Sequence, residues 1–344
     1  MASLPLPAPR GEPDDDAAVL SSRRFRVSAG TLRVGVLACA VATSALAADT
    51  PGRLSLGALH AQRMFAAFVA GCALATSGVF VQAVAANPLA DPTILGTSGA
   101  AYLGAQLGLL VSTVAAASLP LRAMAVALGA LAGATISLAV VLATTRRARG
   151  LEFLLTGFLL ASIFAGVSAI VTALSQEYPL LGRAMVMLGL GDLSSAGWPE
   201  LRVALPLALG ALGGALLRHR DLDLLSLGHD EARSLGLDVT PARAAMVAWV
   251  ACGTASAVIL GGQLAFVGLL APHLARRLVG GSHLRVVPTA AMLGGVVVLA
   301  SDRVAVAIAS HVSIPTGAIT TLAGAPFFFV LLRTRSRAAN HGSL

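Results

Sequence analysis

The sequence has 344 residues, of which 56% are hydrophobic and only 12% are charged. Soluble domains average roughly 45–50% apolar and about 25% charged residues, so this composition excludes a water-soluble globular protein. All 24 basic residues are arginine, and the formal net charge is +8. Without lysine there is no P-loop lysine, pyridoxal-phosphate Schiff base or protein-kinase lysine, so we do not expect this chain to bind ATP by these designs.

Neither the arginines nor the cysteines mark a site. The arginines lie between apolar segments and form no single stripe with aromatic residues, so the basic charge does not indicate nucleic acid. Cys39, Cys72 and Cys252 each lie within an apolar run and show no CxxC spacing. We interpret them as small buried hydrophobic residues and predict no metal site.

The N-terminal region has a polar part and an apolar part. Residues 1–30 are rich in proline, serine and charge, which predicts a flexible cytoplasmic tail. The stretch Thr31–Ala48 is apolar, and Ala45-Leu46-Ala47 resembles a signal-peptide cleavage site. The charged leader is longer than the start of a signal peptide usually is. We therefore predict an uncleaved first membrane span, with a signal peptide as the alternative.

Further apolar stretches recur along the rest of the chain, each close to the approximately 20 residues that cross about 30 Å of hydrocarbon. Lipid forces such segments to be helical, because unpaired backbone groups are too costly there. We predict an all-α integral membrane protein with ten transmembrane helices, a transmembrane domain over 31–335 and a C-terminal tail over 336–344. The further stretches are Met64–Ala86, Thr93–Ala115, Ala123–Thr144, Phe153–Leu174, Leu201–Leu217, Ala242–Leu260, Leu264–Val279, Val286–Ala309 and Ile314–Leu332.

The arginines predict the orientation of these spans. If the N-terminus is inside, eighteen arginines fall on the inner side and six on the outer side. This distribution satisfies the positive-inside rule. We therefore predict the cytoplasmic (inner) cell membrane as the location, with both termini in the cytoplasm.

The apolar spans carry little reactive chemistry. Asp302 is the one clear intramembrane carboxylate, which weakens the alternative of an ion-coupled secondary transporter. The HExxH and GxSxG motifs of zinc proteases and serine hydrolases are absent from the sequence. His273 follows Pro272 and has no second histidine at i+4, so we expect it to pack in a loop or at a helix end. The sequence predicts no enzyme.

Uncharged polar residues suggest a translocation path. Ser162 and Gly166 lie in the fifth predicted span, Thr316 and Thr320 in the tenth, and Gln82 in the second. Such residues line a route or, alternatively, let membrane helices pack closely. Spacing alone leaves both interpretations open.

The segment Asn87-Pro88-Leu89-Ala90-Asp91-Pro92 is predicted to be an inner turn. Asp91 is suited to cap the third helix by accepting hydrogen bonds from its free amides. Pro92 is suited to the first turn of that helix, because its missing N–H would go unpaired there.

The longest predicted inner loop, about 218–241, contains a short helix pattern. Leu227, Ala232 and Leu235 are spaced to share one apolar face, while acidic and basic residues between them stay in water. Gly236 is suited to end the helix. Such a helix either receives a soluble partner or lies on the lipid surface.

Four sequence blocks in this order resemble the permease subunits of the FecCD-type ABC transporters, which take up iron chelates and vitamin B12. The resemblance extends from about residue 31 to residue 335. The blocks are Arg63 through Asn87-Pro88-Leu89-Ala90-Asp91-Pro92 and Leu95-Gly96; Leu227-Gly228 through Leu235-Gly236; Phe266-Val267-Gly268-Leu269 through Pro272-His273 and Arg276; and Pro315 through Gly324-Ala325-Pro326-Phe327.

This resemblance implies a type II ABC importer fold and a dimer with a second copy or a related permease. It also implies two cytoplasmic ATPases, which bind the ATP, and an extracytoplasmic substrate-binding protein. The implied cargo is a metal chelate, with ferric siderophore expected first and haem or cobalamin as alternatives. By match of motif, the residues that couple to the ATPase are Gly228, Glu231, Arg233, Leu235 and Gly236.

The resemblance also implies that outer arginines pair with glutamates of the binding protein. Arg63 occupies one such position, whereas His60 replaces a second arginine and Val306 a third. Arg303 lies one helical turn before Val306, so we expect that it substitutes for the missing charge.

Overall fold

The computed structural model describes the backbone of residues 54–144, 151–308 and 314–341, and the side chains of 60–144, 155–308 and 314–329. These parts of the chain are helical and contain no strand, which confirms the predicted all-α class. The predicted tail 1–30 and first span Thr31–Ala48 lie outside the described residues.

Within the described ranges, the chain forms twelve helices. In chain order they are α1 Leu54–Val84, α2 Thr97–Val114, α3 Leu119–Thr144, α4 Leu151–Ser175, α5 Pro179–Leu190, α6 Trp198–Leu217, α7 His219–Leu225, α8 His229–Ser234, α9 Val239–Gly261, α10 Val267–Val279, α11 His283–Ile308 and α12 Thr316–His341.

Every apolar stretch predicted within these ranges overlaps a helix. Six described helices are long and apolar enough to cross a membrane, namely α1, α3, α4, α6, α9 and α11. The predicted count of ten spans is therefore not confirmed. Helix α5 was not predicted; Pro179 lies in its first turn, and Gly191, with a left-handed φ of 79°, ends it.

The eighth span, which is predicted to be short, is shorter still in the structure. Leu264–Val279 was predicted to be helical throughout, but α10 begins only at Val267 and has 13 residues. Phe266 before it has a φ of 65°, which interrupts the helix. At 1.5 Å per residue such a helix spans about 20 Å, less than the hydrocarbon core.

The turn after α1 also differs from the prediction. Asp91 was expected to cap a helix starting near Thr93, but α2 begins at Thr97. Asp91 instead closes a separate turn, in which its Oδ1 accepts from the Thr93 backbone N–H at 2.8 Å. Gly96, with a φ of 73°, separates this turn from α2.

Helix α1 lies in the centre of the bundle, and most of its side chains from His60 to Val84 are buried. It contacts α11 and α10 through glycines that bring the backbones together. A Cβ added at Gly71 would come within 2.2 Å of the Gly294 carbonyl oxygen, and one at Gly78 within 1.9 Å of the Gly268 oxygen. These contacts leave no room for a side chain, as in other closely packed membrane helices.

Helix α4 lies at the edge of the bundle. Most of its described surface is exposed, including Phe158, Leu159 and Ile163. Helix α12 likewise exposes Leu322 and Phe329. Exposed apolar faces of this size need lipid or another chain to cover them.

Candidate coupling and docking sites

The α7–α8 segment, residues 219–234, contains most of the predicted coupling residues. Gly228 precedes α8 with a φ of 123°, and a Cβ there would come within 2.3 Å of the Glu231 carboxylate. Glu231 and Arg233 are exposed on the short helix. Gly236 follows with a φ of 87° and open space around it. Two glycines with positive φ thus fix where α8 begins and ends.

The prediction that Leu227, Ala232 and Leu235 share one apolar face of α8 is wrong in part. Ala232 is fully buried, but Leu227 and Leu235 are each 60% exposed. Helix α8 has only six residues, and both leucines lie in the turns beyond its ends. The turns direct these side chains away from the bundle. Two apolar side chains are therefore exposed beside Glu231 and Arg233.

His229 attaches α8 to the end of α1, a contact the sequence does not indicate. Its Nε2 lies 3.0 Å from the Val84 carbonyl oxygen, 145 residues away in the chain. Burial, assisted by the positive charge of Arg243, lowers the pKa of His229 below its usual value. The neutral imidazole is favoured, and as an Nε2–H donor it binds a carbonyl left free at the helix end.

Asp223 attaches α7 to the start of α11. Its Oδ1 accepts from the backbone N–H of His283 at 2.9 Å and lies 2.7 Å from His283 Nδ1. Burial of Asp223 opposes ionisation, but the two contacts with His283 outweigh it and lower the pKa of the carboxyl. An ionised carboxylate at a helix N-terminus is also favoured by the helix dipole. The α7–α8 segment is thus bonded to both α1 and α11.

A second polar cluster lies at the opposite end of α1. The arginine cluster consists of Arg63, Asp302, Arg303 and Thr316. Arg63 donates from Nη2 to Asp302 Oδ1 at 2.7 Å and from Nε to the same oxygen at 2.9 Å. Arg303 Nη2 donates to Oδ2 at 3.1 Å, and the Thr316 hydroxyl donates to Oδ1 at 2.9 Å. The cluster joins α1, α11 and α12.

The predicted docking residues are therefore brought together. Arg63 and Arg303 share one fully buried carboxylate, and about a fifth of each arginine side chain remains exposed, 21% and 20%. His60 lies half-buried on α1, three residues before Arg63. Val306 is half-buried one turn after Arg303. Sequence reasoning named both arginines but did not identify Asp302 as their common partner.

The predicted path residues do not form one lining within the described chain. Gln82 is buried between α1 and α10, where it donates to the Gly268 carbonyl oxygen at 3.3 Å and accepts from Arg276. Thr316 and Thr320 are also buried. By contrast, Ser162 is exposed, and Gly166 has open space around it on α4.

The Asn87–Pro92 turn and α10 contact each other. Asn87 Oδ1 accepts from the Leu89 N–H at 2.9 Å, which shapes the turn before Pro88. A Cβ on Gly268 would come within 2.9 Å of Asp91 Oδ2 and 3.0 Å of Pro92. Burial raises the pKa of Asp91 despite its hydrogen bonds.

His273 lies inside α10. The prediction of a loop or helix-end position for this residue is therefore wrong. It follows the buried Pro272. Its ring meets Phe327 of α12 edge-on, with 5.9 Å between ring centroids. Pro272 and His273 thus belong to the contact between α10 and α12, where an aromatic edge contact favours close packing.

Comparison with known proteins places this arrangement in a family. Residues 27–334 match the model of the FecCD transport family. The chain is 34% identical over 280 residues to the hemin transport system permease protein HmuU of Yersinia pestis, covering 80% of this chain and 82% of HmuU. It is also 34% identical over 278 residues to the Fe(3+) dicitrate transport system permease protein FecD of Escherichia coli, covering 78% and 82%.

A solved structure supports the same assignment. It is described as an inward-facing conformation of a candidate metal-chelate type ABC transporter. It superposes with a TM-score of 0.75 at 26% identity, covering 88% of this chain and 98% of that chain. With the family match extending over nearly the whole described bundle, this integral membrane chain belongs to the FecCD transport family of ABC importer permeases.

Proposed function

We propose that this chain is the membrane-spanning subunit of an importer in the cytoplasmic membrane, with ten spans and both termini in the cytoplasm. One observation carries the proposal. The buried helix α1 contacts the α7–α8 segment at Val84 and the arginine cluster at Arg63. One helix therefore links a surface suited to a motor protein with a surface suited to a binding protein.

The α7–α8 segment is the proposed contact for the ATPase. Leu227 and Leu235 offer apolar area, and Glu231 and Arg233 offer charge beside it. This combination suits an interface better than lipid, because the apolar side chains are isolated and flanked by ions. Movement of α8 would pull on α1 through His229 and, by way of α7, on α11 through Asp223. ATP binding and hydrolysis take place in the partner subunits.

The translocation route is proposed to form between two permease copies or related permeases. Ser162 and Gly166 lie on the exposed surface of α4, and Thr321 lies on the exposed surface of α12. Each helix needs a neighbour for this surface, and a second permease supplies one. Gln82, Thr316 and Thr320 are buried, so they would shape the route by holding helices rather than by touching cargo. Surrounding lipid covers the remaining apolar surface.

The proposed cargo is an iron chelate, first a ferric siderophore, with haem or cobalamin as alternatives. The chain is equally identical, at 34%, to the hemin and ferric dicitrate permeases. Overall identity therefore does not separate these cargoes. No bond in the cargo is made or broken by this chain, and the selection of cargo is assigned to the binding protein.

The test is uptake into proteoliposomes that contain the permease and its ATPase, with the binding protein outside. Uptake must require ATP and must survive collapse of the proton gradient; the reverse result would identify a secondary transporter. Arg233→Glu and Gly236→Pro are expected to insert normally but lose at least four fifths of transport-linked ATP hydrolysis. Arg277→Glu, a charge reversal at an exposed arginine of α10 outside the α7–α8 segment, is the control for Arg233→Glu. Normal uptake in both coupling variants would refute the assignment of α8.

A further inference from the structure

The arginine cluster contains more positive than negative charge. Two guanidinium groups share the one carboxylate of Asp302, so the three side chains have a net charge of +1. Both oxygens of this carboxylate are occupied. Oδ1 accepts from Arg63 and Thr316, and Oδ2 accepts from Arg303 at 3.1 Å and from Arg63 Nε at 3.2 Å. Asp302 is fully buried, whereas both arginines reach the surface. The accessible part of the cluster therefore attracts a carboxylate.

The cluster also has an unused donor. Arg303 Nε is buried and has no hydrogen-bond partner within the described part of the chain. A buried donor without a partner is unfavourable, and an acceptor that reached this atom after the side chain turned outwards would relieve the cost. Charge and hydrogen bonding thus point to the same kind of ligand, an acidic side chain.

Arg63 already uses one edge of its guanidinium for Asp302. Its Nε and Nη2 both donate to Asp302, so this edge of the guanidinium is already used in a two-bond contact. Two-bond contacts of arginine with carboxylate are the strong ones. A second carboxylate that binds along the same edge must therefore displace Asp302.

We propose that Asp302 is a built-in competitor for the carboxylate of the binding protein, so that docking exchanges one carboxylate for another. This inference rests on the proposed docking role of Arg63 and Arg303. When Arg63 turns to the partner, the ion pair between α1 and α11 opens. Asp302 stays bonded to Thr316 at the start of α12, so α11 and α12 separate from α1 at this end.

The decisive variant is Asp302→Asn in the assembled transporter. The amide keeps the size of the side chain and an acceptor oxygen for Arg63 and Thr316, but it removes the competing charge. We expect the binding protein to bind at least threefold more tightly at low salt, with a steeper loss of affinity as salt rises. We also expect at least a twofold rise in ATP hydrolysis without binding protein, because the clamp between α1 and α11 is weaker.

Asp192→Asn is the matched control. Asp192 is also buried, but its hydrogen bonds close a local turn with Ser194. Its substitution is expected to leave both readouts within twofold of the unmodified protein. Unchanged or weaker binding by Asp302→Asn, with the control intact, would overturn the exchange.

Two further variants keep the test decisive. Thr316→Val leaves the charges in place but removes the hydrogen bond between Asp302 and α12. The affinity for the binding protein should therefore stay within twofold of that of the unmodified protein. The stimulation of ATP hydrolysis by the binding protein should fall to less than half. Full stimulation would overturn the transmission to α12. The pair Arg63→Glu and Arg303→Glu tests the docking role separately: unchanged affinity there would reject that role and the exchange with it, whatever Asp302→Asn shows.

Discussion

Replacing Gly71 by alanine should separate α1 from α11. The new Cβ would lie 2.2 Å from the Gly294 carbonyl oxygen and 2.9 Å from the Gly295 Cα. Ordinary contact begins at about 3.4 Å, so the two helices must move apart by roughly 1.2 Å at this point. Both contacting atoms belong to backbone, and no side-chain rotation can relieve the overlap.

The expected loss of stability follows from this displacement. Overpacking a closely fitted core typically costs about 1–3 kcal/mol, whereas alanine in place of glycine inside a helix favours folding by about 1 kcal/mol. The net expectation for Gly71→Ala is a loss of up to about 2 kcal/mol, because two backbone contacts this short place the steric cost above the gain in helix propensity. Thermal unfolding of the purified permease in detergent or nanodiscs measures this change.

Gly213→Ala on α6 is the matched control. It makes the same chemical change inside a helix, but nothing lies within 4 Å of the added Cβ. We expect it to leave the unfolding temperature unchanged or slightly raised. If Gly71→Ala were as stable as Gly213→Ala, the close contact of α1 with α11 would be refuted.

Two predictions concern the attachments of the α7–α8 segment. His229→Leu removes the hydrogen bond to the Val84 carbonyl oxygen and should lower cargo uptake per ATP at least threefold. His229→Gln keeps a donor at this position and should retain most of the uptake. Equal uptake by the two variants would contradict the mechanical link between α8 and α1. The pKa of Asp223 is lowered in the folded state, so its contribution to stability is complete above the ordinary carboxyl pKa of about 3.9 and is lost as pH falls through the folded value. On account of this group, the unfolding temperature should change little between pH 7 and pH 5 and should decrease below about pH 4. Asp223→Asn should lower the unfolding temperature near neutrality and should make the decrease below pH 4 smaller. An unaltered pH profile in this variant would exclude the role of the carboxylate.

The fold class and most helices could be predicted from the sequence because lipid imposes a simple rule. A long apolar segment must form a helix, and this rule needs no knowledge of distant contacts. It fails where a local backbone feature interrupts the segment. Phe266 and Gly96 have left-handed φ values that delay the start of α10 and α2, and hydropathy carries no information about such angles.

The site was predictable only in part for a different reason. The position of α8 could be predicted because Gly228 and Gly236, the glycines on either side of it, define its ends without any distant contact. The partners of the polar side chains do not: Arg63 and Asp302 are 239 positions apart, and His229 and Val84 are 145 apart. The family resemblance marked Arg63, and helical spacing marked Arg303, as docking groups, whereas the structure shows that a buried carboxylate already binds both. Leu227 and Leu235 had the spacing of a buried face, but α8 is too short to extend to them.

The two clusters share the same pair of helices, which explains how a small displacement at one end can reach the other. The α7–α8 segment is bonded to the end of α1 and to the start of α11, and the arginine cluster joins the same two helices at the opposite end. Between these ends, the backbones meet at Gly71 and Gly294, and the side chains of Phe68, Cys72 and Ala75 of α1 pack onto Gly294 and Gly295 of α11. Side chains packed in this way resist sliding of one helix along the other, because each would have to leave its groove. Under the proposed function, α1 and α11 are therefore expected to move together, which would make ATP-driven movement of the α7–α8 segment and release of Arg63 from Asp302 two ends of one motion.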